Sequence, residues 1–182
     1  MEDLFVTQPS NLHQSLLLRE PAAWQSIAAN INRAPLLQGW RSMEFEFRAV
    51  DRKSTKLPDI CTAYLPGVVA FRAALKSALF PSKCDDLEFL PITVAGMQWL
   101  LMNCLKTVRQ FDEQKSQVLR GLNGEIFMVV KLCVTDPAAR DCEVFTLAES
   151  NRTQLFARTS LKDRIKKLQL EGITFRRVGD VA

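Results

Sequence analysis

The chain has 182 residues, 47% of them apolar and 24% charged, with 7 glycines and 8 prolines spread along its length. That is one domain's worth of sequence with enough apolar residues for a sizeable core, which excludes wholesale disorder. Lys and Arg number 24 against 20 Asp and Glu, a net charge of +4 that aids solubility and is too small to point to nucleic acid.

The start, Met1-Glu2-Asp3-Leu4-Phe5-Val6, lacks the basic residues and apolar run of a secretion signal. The most apolar window, residues 94–105, ends at Lys106, short of the ~18 uncharged residues that span a bilayer. A cytoplasmic protein without membrane contact is expected. Five cysteines, Cys61, Cys84, Cys104, Cys133 and Cys142, cannot all pair within one chain, and none form a Cys-x-x-Cys pair, so neither a disulfide framework nor a zinc site is expected. Cys104 and Cys133 lie in apolar runs and read as small core residues.

In chain order, residues 1–19 read as an edge strand and a loop. Pro21 opens a helix carrying Trp24, Ile27, Ala28 and Ile31 at helical spacing until Asn32 and Pro35 stop it. From residue 40 to 50 the pattern alternates, Met43, Phe45 and Phe47 against Glu44, Glu46 and Arg48, which predicts a half-buried strand. Residues 51–59 read as an exposed loop. Phe71, Leu75 and Leu79, spaced four apart before Pro81, predict an amphipathic helix over 69–80.

Residues 87–92 form a short strand, and residues 97–108 read as strand rather than buried helix because Gly96 precedes them closely. The turn pair Asn123-Gly124 leads into a β-rich run over 126–134, and residues 143–147 give another strand. Ser160 is placed to cap a helix striped by Leu161, Ile165 and Leu168 and closed by Gly172, before a last strand over 173–178. The sum is an α+β fold: an antiparallel meander with three packed helices. An N-terminal arm and helix over 1–39 precedes the main body over 40–182, the two forming one unit.

No pattern here supports catalysis or a cofactor. His13 is the only histidine and reads as a solvated loop residue, so multi-histidine metal or acid–base sites are excluded. No Gly-x-Ser-x-Gly elbow or glycine-rich phosphate loop occurs. Two charged surfaces remain as candidates for protein binding. Glu44 and Glu46 on one strand, with Asp85, Asp86 and Glu88 leading into another, make an acidic recognition surface; Lys162, Lys166 and Lys167 on the last predicted helix make a rival basic one.

The order of pieces in the rest of the chain carries a resemblance. Leu87-Glu88-Phe89-Leu90-Pro91, Leu101-Met102-Asn103-Cys104-Leu105, Phe111-Asp112-Glu113-Gln114-Lys115-Ser116, Phe145-Thr146-Leu147, Leu155-Phe156-Ala157, and Ser160-Leu161-Lys162 through Leu170-Glu171-Gly172-Ile173-Thr174-Phe175 together resemble family 11 of the bacterial polymorphic-toxin immunity proteins, over roughly residues 57–178. The resemblance implies a non-enzymatic antitoxin, without cofactor or metal, that binds a cognate protein toxin and occludes it. Asp112 and Ser116 are then expected to shape a turn. An adaptor or chaperone for a secreted effector is the alternative, and a small enzyme the third reading.

Overall fold

The computed structural model describes residues 2–20, 25, 27–63, 67–150 and 154–182. In chain order its strands are β1 (Glu2–Pro9), β2 (Ser15–Leu18), β3 (Glu44–Arg48), β4 (Ile60–Thr62), β5 (Val69–Arg72), β6 (Leu87–Val94), β7 (Met97–Cys104), β8 (Thr107–Val108), β9 (Gln117–Arg120), β10 (Ile126–Val134), β11 (Val144–Leu147), β12 (Leu155–Arg158) and β13 (Ile173–Val181). Two short helices, α1 (Lys76–Leu79) and α2 (Thr159–Lys167), lie wholly within the described residues.

The expected antiparallel meander with three packed helices is not what forms. Strands hold 45% and helices 15% of the described residues, the strands arranged as two curled mixed sheets. One runs β2-β3-β6-β7-β5-β4, with β3 parallel to β6, and curls until Leu16 of β2 bridges Ala63 just beyond β4. The other runs β8-β11-β12-β1-β13-β10-β9, with β8 parallel to β11 and β10 parallel to β13.

Two local readings account for most of the difference. The predicted helix over 69–80 is a strand, a single 3-10 turn and the four residues of α1. Val68, Val69, Ala70 and Phe71 are all buried, because β5 lies between β4 and β7 and is covered on both faces; such a run carries no strand periodicity to read. The predicted N-terminal edge strand is instead central. β1 pairs antiparallel with β12 on one side and β13 on the other, and Leu4, Phe5 and Val6 are buried. Of the predicted helix after Pro21, residues 21–24 and 26 lie outside the described residues; Ile27 and Ala28 are helical, and Ile27 and Ile31 are buried.

Other elements form as expected. β3 buries Phe45 and exposes Glu44 and Glu46, and β6 and β7 make a full hairpin from Leu87↔Cys104 to Val94↔Met97. Its turn places Ala95 and Gly96 at φ +48° and +79°, the left-handed pair that matches strand twist. Helix α2 begins one residue before the expected cap: Arg158 occupies the cap position with no side-chain bond, and Gln169, not Gly172, takes the first left-handed φ after the helix. Its Leu161 and Ile165 pack with Leu155 and Ala157 of one sheet and Ile60, Phe71 and Met102 of the other. The two sheets therefore share this cluster, while each also has a buried cluster of its own.

Candidate partner-binding surface

The loop between Asn32 and β3 is held by a buried amide pair. Asn32 sits at φ +59°, a left-handed position that Asn tolerates better than other side-chain-bearing residues. Its backbone N–H donates to Asn103 Oδ1 at 2.6 Å, its Nδ2 donates to the Gly67 carbonyl at 3.0 Å, and its Oδ1 accepts the Cys104 N–H at 2.8 Å. Asn103 in turn donates through Nδ2 to the Ala34 carbonyl and to Glu88 Oε2, at 3.0 and 2.8 Å. Glu88 then accepts the N–H groups of Leu36 and Leu37 at 2.6 and 3.3 Å, and Trp40 Nε1 donates to the Pro91 carbonyl at 2.8 Å. The bonds of Asn32, Asn103 and the Leu36 N–H replace water for buried or part-buried groups, and those of Leu37 and Trp40 tie down the exposed part of the loop, which together hold it as a wall.

Three hollows follow that wall. One of about 450 Å³ is lined by Leu37, Lys76, Phe80, Lys83, Asp85 and Glu88, among others. A second, about 480 Å³, lies along Pro35, Leu36, Trp40 and Met43. The third, about 330 Å³, shares Met43 with the second and reaches Arg19, Glu20 and Glu44. This row of three hollows along the loop, lined by apolar side chains and by charges of both signs, is called the furrow below.

The acidic residues expected to recognise a partner do not come together: Glu44 stands beside Thr93 near the end of β6, whereas Asp85, Asp86 and Glu88 lie at its start, and most are already paired. Glu44 and Glu46 share Arg19, just after β2, at 2.9 and 3.7 Å. Asp85 meets Lys83 at 2.7 Å and Asp86 meets Lys106 at 3.5 Å. Glu88 is committed to the loop. The region is mixed in charge, and a partner there gains electrostatic energy only by competing with pairs that are themselves weak, worth about 0–1 kcal/mol each at an exposed surface. On the rival surface Lys162 lies 4.2 Å over the Phe5 ring and 3.4 Å from Asp163. Lys166 and Lys167 are exposed at the C-terminal turn of α2, where they complement the helix dipole.

Arg19, Lys83 and the Leu36, Leu37 and Trp40 side chains are the members of this region that the sequence reading missed. Trp40 and the apolar pair Leu36-Leu37 in a loop were a readable signal; the Arg19 pairing, which depends on β2 lying beside β3, was not.

Nucleophiles in and around the furrow are quiet. Cys84 lines the first hollow, and its thiol is pushed up, first by burial, so it stays protonated at neutral pH. Burial also raises Cys61 and Cys104, and Cys142 is pushed up to about 11, chiefly by the same cause. All five cysteines are free thiols. His13 is not the solvated loop residue expected, since only 6% of it is exposed. Its Nδ1 lies 2.9 Å from Ser10 Oγ and its Nε2 3.1 Å from Glu171 Oε2. A hydrolase triad places the carboxylate on Nδ1 and the serine on Nε2; here the order is reversed. Ser10 Oγ also accepts the Leu12 N–H at 3.3 Å, and none of the three hollows is lined by Ser10, His13 or Glu171. The cluster is a latch joining the β1–β2 turn to the turn before β13.

Among the described residues no group of three or more His, Cys, Asp and Glu side chains is placed to hold a metal ion, and no helix is long and apolar enough to cross a membrane. Asp112 does shape a turn, its carboxylate accepting the N–H groups of Gln114 and Lys115, while Ser116 Oγ accepts the Cys133 N–H.

Compared with known proteins, the chain matches no protein-family model and no curated protein. The resemblance to the immunity family therefore rests on the residues that carry it in the sequence.

Proposed function

We propose that the chain is an immunity protein that binds a cognate bacterial toxin and neutralises it by occlusion, acting in the cytoplasm without cofactor, metal or catalysis of its own. The observation that supports this most is the furrow: hollows that present Leu36, Leu37 and Trp40 on a hydrogen-bonded loop, edged by side chains of both charges. Preorganised apolar anchors within a polar rim are what a tight protein interface requires, because little ordering entropy remains to be lost on docking. Leu36, Leu37 and Trp40 are the anchors, and the Arg19–Glu44 and Lys83–Asp85 pairs form the rim. Free thiols at all five cysteines suit a reducing compartment.

Co-expression with the toxin encoded by the adjacent upstream gene tests the reading. Growth of the toxin-producing cell is expected to be restored by the cytoplasmic chain. Restoration only when the chain is exported to the periplasm, or altered toxin delivery without restored growth, contradicts it, the second result favouring an adaptor or chaperone.

A further inference from the structure

The first hollow of the furrow has an aromatic floor. Phe80 and Phe89 line it with their ring centroids 5.0 Å apart, and Phe71 backs each of them at 5.9 Å. Phe71 and Phe80 are buried and Phe89 is half-buried, so the cluster is fixed from beneath while part of Phe89 stays open to the hollow. Leu37, 51% exposed, adds an apolar side chain from the loop. At about 450 Å³ the space is within the range that takes a small organic group. The second hollow continues along the same loop past Leu36 and Trp40, which suits a protein segment passing through rather than one ending there.

Four of the residues that line the first hollow are charged: Lys76, Lys83, Asp85 and Glu88. Three of them are engaged. Lys83 and Asp85 meet at 2.7 Å. Glu88 accepts the Leu36 and Leu37 N–H groups and Asn103 Nδ2, so both its oxygens have donors. Lys76 is exposed and has no carboxylate within 4 Å among the described residues; its Nζ stands 4.9 Å from the centroid of the Phe89 ring. A cation–π contact of that kind holds an ammonium over the aromatic floor and leaves its N–H donors unused. What the hollow offers an incoming group is therefore an aromatic surface with one uncommitted cation above it.

We propose that the first hollow receives an aromatic side chain of the partner protein that has an Asp or Glu next to it in sequence, the ring resting on Phe80 and Phe89 and the carboxylate meeting Lys76. The proposal rests on the reading of the furrow as the toxin-binding surface, and it makes Lys76 the residue that selects among toxin segments. A basic neighbour is disfavoured, because Lys76 repels it and the two carboxylates that line the hollow are already engaged.

Cys84 lines the same hollow and is the one thiol at intermediate exposure, so a probe can be tethered there with no toxin present. The full chain is equilibrated in reducing buffer with the disulfides of three capped tetrapeptides, Cys-Gly-Phe-Asp, Cys-Gly-Phe-Lys and Cys-Gly-Ala-Asp. Exchange leaves the redox balance unchanged: the Cys84 thiolate forms a bond to the peptide sulfur and the displaced peptide thiolate leaves. Intact mass gives the labelled fraction at equilibrium, with Cys84→Ser as the background. The Phe-Asp peptide is expected to exceed both others by about fivefold or more, and Lys76→Glu to invert the preference between Asp and Lys. Folding is checked by circular dichroism, and Lys76→Ala, expected to abolish the preference, serves if Lys76→Glu is misfolded. Equal labelling by the Asp and Lys peptides, or a preference that survives loss of Lys76, overturns the proposal. Higher labelling by the Lys peptide overturns it by assigning recognition to Asp85 and Glu88. Concentration-dependent self-association that Lys76→Glu removes overturns it in favour of a second copy. Because no toxin is present, a missing preference beside restored growth in co-expression leaves the immunity reading standing without this role for the hollow; a clear preference without restored growth leaves the hollow's chemistry standing and removes the toxin.

Discussion

The backbone N–H of Asn32 donates to Asn103 Oδ1 at 2.6 Å, and Asn32 Oδ1 accepts the backbone N–H of Cys104 at 2.8 Å. This reciprocal clasp fixes the loop that walls the furrow, and Asn103 extends it to Glu88. Both amides are buried, so a broken clasp leaves polar groups with no water to replace it.

Asn103→Leu is expected to destabilise the fold by about 3 kcal/mol, the cost of stranding the Asn32 N–H and the Ala34 carbonyl. It should also raise amide exchange at Leu36 and Leu37. Urea denaturation with hydrogen exchange reads both effects; unchanged exchange at those two amides would mean that the loop does not depend on the clasp.

Arg164 makes a two-pronged contact with Glu143 at 2.8 and 2.7 Å and donates to the Leu79 carbonyl at 2.6 Å, tying α2 to α1 and to the start of β11. Arg164→Met is expected to cost about 2 kcal/mol at neutral pH, in line with charge-assisted hydrogen bonds at a half-buried site. The Arg164 guanidinium, ahead of other causes, holds the Glu143 carboxyl below its ordinary range. A depressed carboxyl stabilises the fold above its unfolded pKa, and that contribution is lost as pH falls through the folded value. Asp51, Asp112, Asp136 and Glu171 are depressed as well, so stability is expected to hold from neutral pH down to about 5 and to fall below about 4. The acid loss should be smaller in Arg164→Met, measured by denaturant midpoints across that range.

Gly179 of β13 lies against β10, where a Cβ would come within 1.8 Å of the Leu132 carbonyl oxygen, and its φ is +155°. Backbone on both sides leaves nothing able to yield. Gly179→Ala is expected to destabilise by about 4 kcal/mol or to prevent folding, whereas Gly124→Ala, with nothing within 4 Å, should cost only the strain of its turn. Similar thermal midpoints for the two variants would show that the β10–β13 contact is looser than described.

Thiol reactivity should follow burial. Cys84 is the one thiol at intermediate exposure and the other four are buried, so an alkylating reagent is expected to modify Cys84 first and the rest only as the protein opens. His13→Ala is expected to lower stability by about 1–2 kcal/mol through loss of the Ser10 and Glu171 bonds while leaving toxin neutralisation intact. A folded His13→Ala protein that fails to protect would instead assign His13 a functional role.

What could be read from the sequence were elements whose pattern is local. Alternation over Glu44–Arg48 gave β3, Gly96 marked the turn before β7, Asn123-Gly124 marked the turn before β10 though not its partner β9, and the stripe of Leu161 and Ile165 gave α2. What could not be read depends on distant neighbours. β1 looks like an edge because nothing near it in sequence pairs with it; its partners are β12 and β13 at the other end of the chain. The four-apart spacing of Phe71, Leu75 and Leu79 is divided among β5, a 3-10 turn and α1, and β5 itself is an unbroken apolar run because both its faces are covered. The acidic candidates were found, but their neutralisation by Arg19, Lys83 and Lys106 depends on strand order, and the commitment of Glu88 to backbone amides leaves no mark in composition.

The most direct test of the account is calorimetry of the adjacent-gene toxin against three folded proteins: the wild-type chain, a furrow variant carrying Leu37→Asp and Trp40→Ala, and a helix variant carrying Lys166→Glu and Lys167→Glu. The wild type and the helix variant are expected to bind with similar affinity, and the furrow variant to lose about 3 kcal/mol or more, as removal of central apolar anchors does. Undiminished binding by the furrow variant, with loss confined to the helix variant, would place the toxin on α2 and contradict the furrow as the site of neutralisation.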